Sequence, residues 1–368
     1  MTSGSVELRP RWASPPSRTI ATILESFGTD HNLQDLLQVD RATARALLND
    51  SIQITPEIAQ KLSQSLGSSP SFWTNRYRQY WDDLARLEAD RWATQAPLEI
   101  FAGRNWVRRF DSWTERIQNL LEFFDVPDLE AWKDQYEPLL NQVKYRRHSS
   151  ATQSDVAIAA WLKRAQMEAR TLTLARYETA TLSARIAQSR RLSRIKDPRD
   201  FISRLQELCA ESGVALVLVK APAGCPISGA AYSTEDGAPL VVLSGRYLSD
   251  DHLWYTFFHE IAHVLLHGNG KTFLDPLDEG RIDEPNDDER EANAWATSQI
   301  LTEDLVEMCR NNRLTTRFIA LIASKSGVAP GLIVGQLQHL GILQYNQLNR
   351  MKRRYEWSGS TMVAKGSQ

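Results

Sequence analysis

The sequence predicts an α+β fold that is mainly helical and contains one small β-sheet. Apolar residues recur every three or four positions between 156 and 187, where helix breakers are few, which is typical of helices. Two runs rich in β-branched and apolar residues, 214–220 and 239–244, are bounded by Gly and Pro and predict strands. A further short strand is expected at 228–232.

Composition limits the number of domains and the compartment. With 368 residues, 42% of them hydrophobic, and a formal net charge of -2, the chain can bury more than one core, so two to three domains are expected. Three widely spaced cysteines argue against a disulfide framework and favour a reducing compartment. The first residues carry no signal-peptide pattern, and no apolar run approaches the roughly 18 residues needed to cross a bilayer. We therefore expect a cytoplasmic protein without a membrane partner.

The first 80 residues predict a leader followed by short helices. Residues 1–17 contain Ser and Pro without periodicity, which predicts a disordered leader. Residues 33–39 and 40–49 have the form of two helices joined by a tight turn. Another helix is expected to begin with Thr55 as its N-cap and Pro56 in its first position.

The segment that says most about chemistry is an HExxH motif at 259–263, in apolar flanks. His259 and His263 are four positions apart, so on a helix both imidazoles leave the same face and can bind one tetrahedral metal ion. Glu260 can take a proton from water without being a ligand. Because HExxH also occurs by chance, two histidines on a packed helix remain an alternative interpretation of the motif alone.

A site with two histidines needs a third protein ligand. Glu289 begins a helical stretch 26 residues after His263, a common arrangement for a zinc site of two histidines and one glutamate. Asn293, one turn later, could hold that ligand in place. Glu291 is the alternative ligand, but it points about 200° around the helix from Glu289. Zn²⁺ is the metal expected from these ligand types.

Three further residues near the motif have two interpretations each. His267 precedes a glycine, which favours interaction with the negative end of the helix dipole over ligation. His252 is expected to anchor the start of the helix, and a role as transition-state donor is the alternative. Cys225 could reach an empty metal position as an inhibitory thiolate, although buried cysteines without such a role are commoner.

Several segments together carry a resemblance to a known family. They are 145–147, 160–162, 214–217, 228–230, 250–263, 289–296 and 327–339. Residues 144 to about 354 thereby resemble the ImmA/IrrE family of intracellular zinc metallopeptidases. The resemblance implies a zincin-like domain in which His259, His263 and Glu289 bind zinc and Glu260 is the catalytic base. It also implies a protein substrate, such as a repressor or an antitoxin.

A second resemblance covers about 60 residues near the start of the chain. The two helices within 33–49, the helix start at 54–57 and residues 66–73 are similar to the helix-turn-helix of the Xre family, in particular HigA-type antitoxins. Arg41, Thr43 and Arg45 could read base edges in the major groove of DNA.

Charge leaves DNA binding by this segment open. Between 19 and 80, five basic residues stand against six acidic ones, a weak footprint for neutralising phosphates. Asp40 stands where the Xre family commonly has an uncharged Ser, and its carboxylate would repel phosphate. DNA binding and a protein-docking or degenerate role are therefore equal alternatives.

The predicted domain order follows from these patterns. It is a leader at 1–17, a helix-turn-helix domain at 18–80, a helical connector at 81–195, a metallopeptidase domain at 196–354 and a flexible tail at 355–368. Residues 185–204 hold seven basic and two acidic residues, which usually indicates a solvated helix face and alternatively a nucleic-acid surface. Residues 275–291 hold nine acidic residues and two arginines and are expected to form a loop with a negative field beside the metal.

Two functions from different classes remain on sequence grounds. The first is a zinc endopeptidase that cleaves a regulatory protein, with the N-terminal module selecting or sensing the target. The second is a DNA-binding regulator or antitoxin whose zincin-fold domain is a sensor with little turnover. For the peptidase, the candidate donors to the tetrahedral oxyanion are Tyr232, His252 and Tyr255.

Overall fold

The computed structural model describes residues 12–27, 32–145, 154–234, 236–268, 272–276 and 287–366. Its helices are α1 (Pro16–Phe27), α2 (Leu33–Leu37), α3 (Arg41–Leu48), α4 (Pro56–Leu66), α5 (Pro70–Thr94), α6 (Leu98–Gly103), α7 (Trp113–Phe124), α8 (Leu129–Tyr145), α9 (Asp155–Ala169), α10 (Thr179–Leu192), α11 (Pro198–Ala210), α12 (Asp250–Leu266), α13 (Asp287–Ile300), α14 (Glu303–Arg310), α15 (Thr316–Ser326) and α16 (Pro330–His339). Its strands are β1 (Ala215–Leu218), β2 (Ile227–Ser233), β3 (Pro239–Leu243), β4 (Phe273–Pro276), β5 (Tyr355–Ser358) and β6 (Thr361–Ala364). The predicted α+β class is confirmed.

The chain divides into two compact units. The first comprises Met1–Thr94 and Ser112–Ile117, and the second comprises Gln95–Asp111 and Gln118–Gln368. The boundary predicted at 80 falls inside α5, and the boundary predicted at 195 falls inside the second unit. Helices α9 and α10, which the sequence assigned to a connector, belong to the second unit because they pack against its sheet and its other helices.

The first unit is a small bundle of short helices around one apolar core. Ile20, Leu37, Leu62 and Trp73 are almost fully buried in it. The predicted helix start at 55–56 is confirmed, because Thr55 accepts a hydrogen bond from the backbone N–H of Ile58 and Pro56 is the first helical residue.

The predicted leader is shorter than expected where the structure describes it. Helix α1 already begins at Pro16, and the backbone N–H of Ser17 donates to a carboxylate oxygen of Asp50 at 2.9 Å. Residues 1–11 lie outside the described residues.

The second unit is built on a four-stranded mixed sheet in the order β1-β3-β2-β4. Strands β1 and β3 are parallel, while β2 runs antiparallel to both β3 and β4. The three predicted strands are present, and β4 was not predicted. Among the described residues, β4 pairs with β2 and is an edge strand of the sheet.

Helices cover both faces of this sheet. Gly229 on β2 faces α12, since a Cβ atom there would clash with α12 side chains. Tyr232, three positions later, faces the opposite side because strand side chains alternate, and its hydroxyl donates to the carbonyl of Leu162 on α9. The indole N–H of Trp161 donates to the carbonyl of Val219 at 2.7 Å. The sheet therefore lies between α9 and α12.

The start of α12 is fixed by a buried polar cluster. Asp250 and Asp251 are nearly inaccessible to solvent, and α16 approaches them closely because it carries glycine at 331 and 335. The ammonium group of Lys352 lies 2.6 Å from the Asp251 carboxylate. These contacts hold in place the first turn of the helix that carries the HExxH motif.

The prediction of a flexible tail at 355–368 is wrong for the described part, 355–366. Strands β5 and β6 form an antiparallel hairpin there. Tyr355 and Met362 are each only 2% exposed and belong to the main core of the second unit. Burial of these two apolar side chains orders a segment whose sequence shows no long periodic pattern.

No single helix among the described residues is long and apolar enough to span a membrane, whereas the pair α15 and α16, bent by 102°, would pass together by length and composition.

The Asp250 cluster predicts a pH dependence of stability. Burial and the neighbouring Asp251 carboxylate raise the pKa of Asp250 from 3.8 to about 7. Between about pH 4 and 7 the folded protein retains a proton that the unfolded chain has released, so the contribution of Asp250 to the free energy of unfolding is fully present below about pH 4 and is lost as the pH rises through 7. Each unit of pKa difference is worth about 1.4 kcal/mol.

Denaturant unfolding at pH 5 and pH 8 measures this effect. From pH 5 to pH 8 the free energy of unfolding of the wild type should fall relative to that of Asp250→Asn, which cannot ionise. Asp200→Asn, which removes an exposed carboxylate on α11, is the control and should behave like the wild type. An equal loss in wild type and Asp250→Asn would contradict the prediction.

Candidate metal centre

Helix α12 presents its two motif histidines from a buried segment. Its apolar positions 253, 254, 257, 258, 261 and 264 pack into the core. His259 is 3% exposed and His263 is 1% exposed. They lie one turn apart, so the backbone alone places both rings on the same face of the helix.

Glu289 reaches these histidines from α13. Its carboxylate oxygens lie 3.3 Å from Nε2 of His259 and 3.7 Å from Nε2 of His263, and the two Nε2 atoms are 3.0 Å apart. In a tetrahedral zinc site with metal–ligand distances of about 2.0–2.1 Å, neighbouring ligand atoms are roughly 3.3 Å apart. Two imidazole nitrogens and one carboxylate oxygen therefore converge at the spacing that suits such an ion.

The electrostatics of the cluster also suit a cation. Burial lowers the pKa of His263 to about 4, so its ring is neutral near pH 7, as a metal ligand must be. Burial by itself would raise the pKa of Glu289, but hydrogen bonds from His259 and His263 outweigh it and hold that pKa far below its usual value. An ionised Glu289 carboxylate and a neutral His263 ring are the protonation states in which these groups bind a cation.

Glu260, which follows His259 on α12, packs against the sheet. It is fully buried, and a Cβ atom at Gly229 on β2 would lie 2.4 Å from its Oε1 atom and 2.6 Å from Cγ2 of Thr256. Glycine at 229 is therefore the residue that lets the strand approach the Glu260 carboxylate. The sequence includes Gly229 in a predicted strand, and a glycine inside an apolar strand is the signal for such an approach.

Asn293 lies near the cluster but contacts a different group from the one predicted. Its side-chain oxygen accepts a hydrogen bond of 2.7 Å from the hydroxyl of Tyr255. The ring of Tyr255 in turn stacks beside His259, with 6.3 Å between ring centroids. Asn293 and Tyr255 thus link α13 to α12 on the side of His259.

Phe273 is a site neighbour that sequence reasoning missed. It lies on β4, and its ring stacks on His263 with 3.9 Å between centroids. It shields one face of that imidazole from water. Since β4 is only four residues long and lies far from other strand signals, the sequence offers no pattern that would have identified it.

The two alternative ligands contact each other. His267 ends α12, and its Nε2 atom lies 3.0 Å from the backbone carbonyl of Asp288. Glu291, the alternative third ligand, is 66% exposed and has a carboxylate oxygen 3.9 Å from Nδ1 of His267. The group of potential ligand atoms that lie within 4.8 Å of one another in the described chain contains His259, His263 and Glu289.

The remaining candidates lie elsewhere. His252 is half exposed and stacks on Tyr247 with 4.1 Å between centroids, two turns before His259. Tyr232 directs its hydroxyl to α9 and away from the cluster. Cys225 is fully buried, and burial raises the pKa of its thiol to about 12, so the thiolate that inhibition would need is suppressed. Of the three oxyanion donors considered, Tyr255 contacts the metal cluster through its ring, which stacks beside His259.

The residues considered for DNA binding lie on α3 in the first unit. Arg41 and Arg45 are exposed, whereas the Thr43 hydroxyl donates to the Asp40 carboxylate at 2.6 Å. Asp40 is the N-cap of α3, because it also accepts the backbone N–H of Thr43. Hydrogen bonds from Thr43 lower the pKa of Asp40, so it is charged at neutral pH.

The geometry predicts that Glu289 and Glu291 respond differently to neutralisation. Glu289→Gln removes the carboxylate that faces both histidines and should abolish tight zinc binding. Glu291→Gln changes an exposed carboxylate and should leave zinc content at the wild-type level. Elemental analysis after dialysis measures the zinc content of both variants. Loss of zinc in Glu291→Gln together with retention in Glu289→Gln would reverse the ligand assignment.

Comparison with known proteins points in the same direction for part of the chain. Residues 219–334 match the sequence profile of the IrrE N-terminal-like domain, a peptidase family. The matched range includes His259, Glu260, His263 and Glu289. No curated protein and no solved structure matches the chain significantly. The match supports the resemblance of this segment to the ImmA/IrrE family of zincin-like metallopeptidases.

Proposed function

We propose that the protein is a cytoplasmic, zinc-dependent endopeptidase that cleaves a regulatory protein. One observation carries the proposal: His259, His263 and Glu289 converge from two helices, while Glu260, which follows His259 in the chain, lies fully buried against β2. The donor set of two nitrogens and one oxygen is typical of catalytic zinc sites that keep one position open. The match of residues 219–334 to a peptidase family adds independent support.

The residues divide the chemistry between them. His259, His263 and Glu289 would hold the zinc ion, which when bound supplies polarisation of water and of the scissile carbonyl. Glu260 removes a proton from the attacking water and later passes it to the leaving amine. Its carboxylate packs against Gly229 on β2, where an added Cβ atom would overlap it. Tyr255, whose hydroxyl would first have to release Asn293, is the candidate donor to the developing oxyanion.

The sheet suggests how a substrate is presented. In the described residues β4 is the edge strand next to β2, and its Phe273 contacts the His263 ring. A peptide in extended form could add to this edge and lie along the cluster, as in other cases of β-strand addition. We therefore propose an extended segment of a protein, such as a repressor or an antitoxin, as the substrate. The N-terminal helices would select or sense this target.

The alternative is a DNA-binding regulator whose second unit senses a ligand with little turnover. The exposed Arg41 and Arg45 on α3 keep this alternative open. Binding of the full-length protein to its own promoter, without cleavage of any captured protein, would favour the regulator.

Neutralising the proposed base should separate metal binding from catalysis. Glu260→Gln should retain one zinc ion per chain and lose cleavage, because the amide cannot accept the proton of the attacking water. This variant is first used to capture the target protein from cells. Cleavage of the captured protein is then measured with zinc-loaded wild type, with the chelated wild type as control.

Specific cleavage that stops on chelation and returns with zinc supports the proposal. A wild type that carries zinc and leaves every captured protein intact would exclude the peptidase function, and so would a wild type without stoichiometric metal.

A methyl group at position 229 should displace the proposed base. In Gly229→Ala the new Cβ would overlap Oε1 of Glu260 and Cγ2 of Thr256. Because a 1 Å misplacement of a catalytic group can cost about 100-fold in rate, we expect a loss of that order in kcat with unchanged zinc content. Gly103→Ala, on α6 with open space around the new methyl group, is the matched control. Wild-type kcat in Gly229→Ala would show that Glu260 is not the base.

A further inference from the structure

His267 forms a hydrogen bond with Asp288, the residue that precedes the cluster residue Glu289. It is the C-cap residue of α12, and its side chain is only 4% exposed. Its Nε2 atom lies 3.0 Å from the backbone oxygen of Asp288. A carbonyl oxygen only accepts hydrogen bonds, so Nε2 carries the proton and donates it.

This bond fixes α13 next to the residue that completes the cluster. Helix α13 begins at Asp287, so Asp288 and Glu289 lie in its first turn. Helix ends fray, because the groups of the first turn lack part of their intrahelical partners. A hydrogen bond from α12 to the Asp288 carbonyl holds the backbone one residue before Glu289. Both ends of the bond are thus joined to the cluster, one through α12 and the other through Glu289.

The surroundings hold the His267 ring in this orientation. The ring lies 5.5 Å from Phe273 and 5.4 Å from His263, measured between centroids. Phe273 therefore contacts both histidines and restricts the rotation of each. On the other ring edge, Nδ1 is 3.5 Å from a carboxylate oxygen of Asp288. Nε2 is bonded to the Asp288 carbonyl and Nδ1 faces the Asp288 carboxylate, so ligation by either nitrogen of His267 is disfavoured.

We propose that His267 is a positioning residue that orients Glu289 for metal binding through its hydrogen bond to the Asp288 main chain. It acts on the geometry of the third ligand and touches neither the metal nor the substrate. The inference rests on the proposed metal site, and it goes beyond that site by assigning the residue that fixes the approach of α13. Groups that hold metal ligands in place typically change metal affinity by about 10- to 100-fold when they are removed.

Three variants of the full-length protein separate this role from a general effect on folding. His267→Phe keeps an aromatic ring but removes the donor. His267→Gln restores an N–H at a similar distance from the main chain. Asp288→Asn removes the carboxylate near Nδ1 but leaves the backbone carbonyl, so it is the control for the side-chain contact.

The measurements are zinc affinity by competition with a chelator and the visible absorption spectrum after loading with Co²⁺, neither of which requires cleavage. We expect His267→Phe to bind zinc about 10- to 100-fold more weakly and to show a weakened tetrahedral cobalt spectrum. His267→Gln should recover most of the affinity and the spectrum, and Asp288→Asn should lose less affinity than His267→Phe because the backbone carbonyl remains. Circular dichroism should show the same helix content in all of them.

The outcomes distinguish this inference from the proposed function. If the wild type binds no zinc, the proposed metal site itself fails. If the wild type binds zinc and His267→Phe binds it equally well with the same cobalt spectrum, only the role of His267 is excluded. If His267→Gln is as weak as His267→Phe, the hydrogen bond is not what positions Glu289, which also overturns the inference.

Discussion

The close packing of α13 against α12 is the constraint on which the candidate site depends. Ala292 and Ala296 are fully buried on α13, and their small side chains allow the two helices to approach. Only at this distance can the side chain of Glu289 place its oxygens within 3.3 to 3.7 Å of the two imidazoles. A larger residue at either alanine would separate the helices, and overpacking of a filled interface generally destabilises it as well. The site is therefore a property of the helix interface and not of the HExxH segment alone.

Burying polar groups in this interface has an energetic cost that the fold must offset elsewhere. Glu260 and the two histidines are removed from water, which is unfavourable unless other groups compensate. The apolar face of α12 supplies part of the compensation through Trp254, Phe257 and Phe258, which are almost fully buried. At its other end the helix is held by Lys352, whose ammonium group bridges Asp251 and the side-chain oxygen of Gln338. A helix fixed at both ends can keep charged groups in one geometry.

Local sequence patterns predicted those features of the fold and the site that depend on a single helix or strand. The i to i+4 spacing places His259 and His263 on the same face wherever the segment is helical, and the three runs of apolar residues form the expected strands. The position of Glu289 could be proposed because its helix has a recognisable start. The contacts of Phe273, of His267 and of the C-terminal hairpin depend on tertiary packing between segments distant in sequence, for which a single chain gives no periodic signal. The partner of Asn293 was missed for the same reason, since Tyr255 lies on the other helix.

In the first unit, the structural role of Asp40 as a helix N-cap changes how its charge is interpreted. The Asp40 carboxylate argued against phosphate binding on sequence grounds, yet as the N-cap of α3 it satisfies the backbone N–H of Thr43 and has a sufficient structural reason to be present. It is charged nonetheless, and it also accepts the Thr43 hydroxyl, so that hydroxyl is engaged within the helix. Of the three residues considered for base contacts, Arg41 and Arg45 remain exposed. Affinity for DNA grows with the number of phosphates neutralised, and the Asp40 carboxylate offsets part of the charge of the two arginines, so DNA binding by α3 stays a prediction beside the docking of a protein.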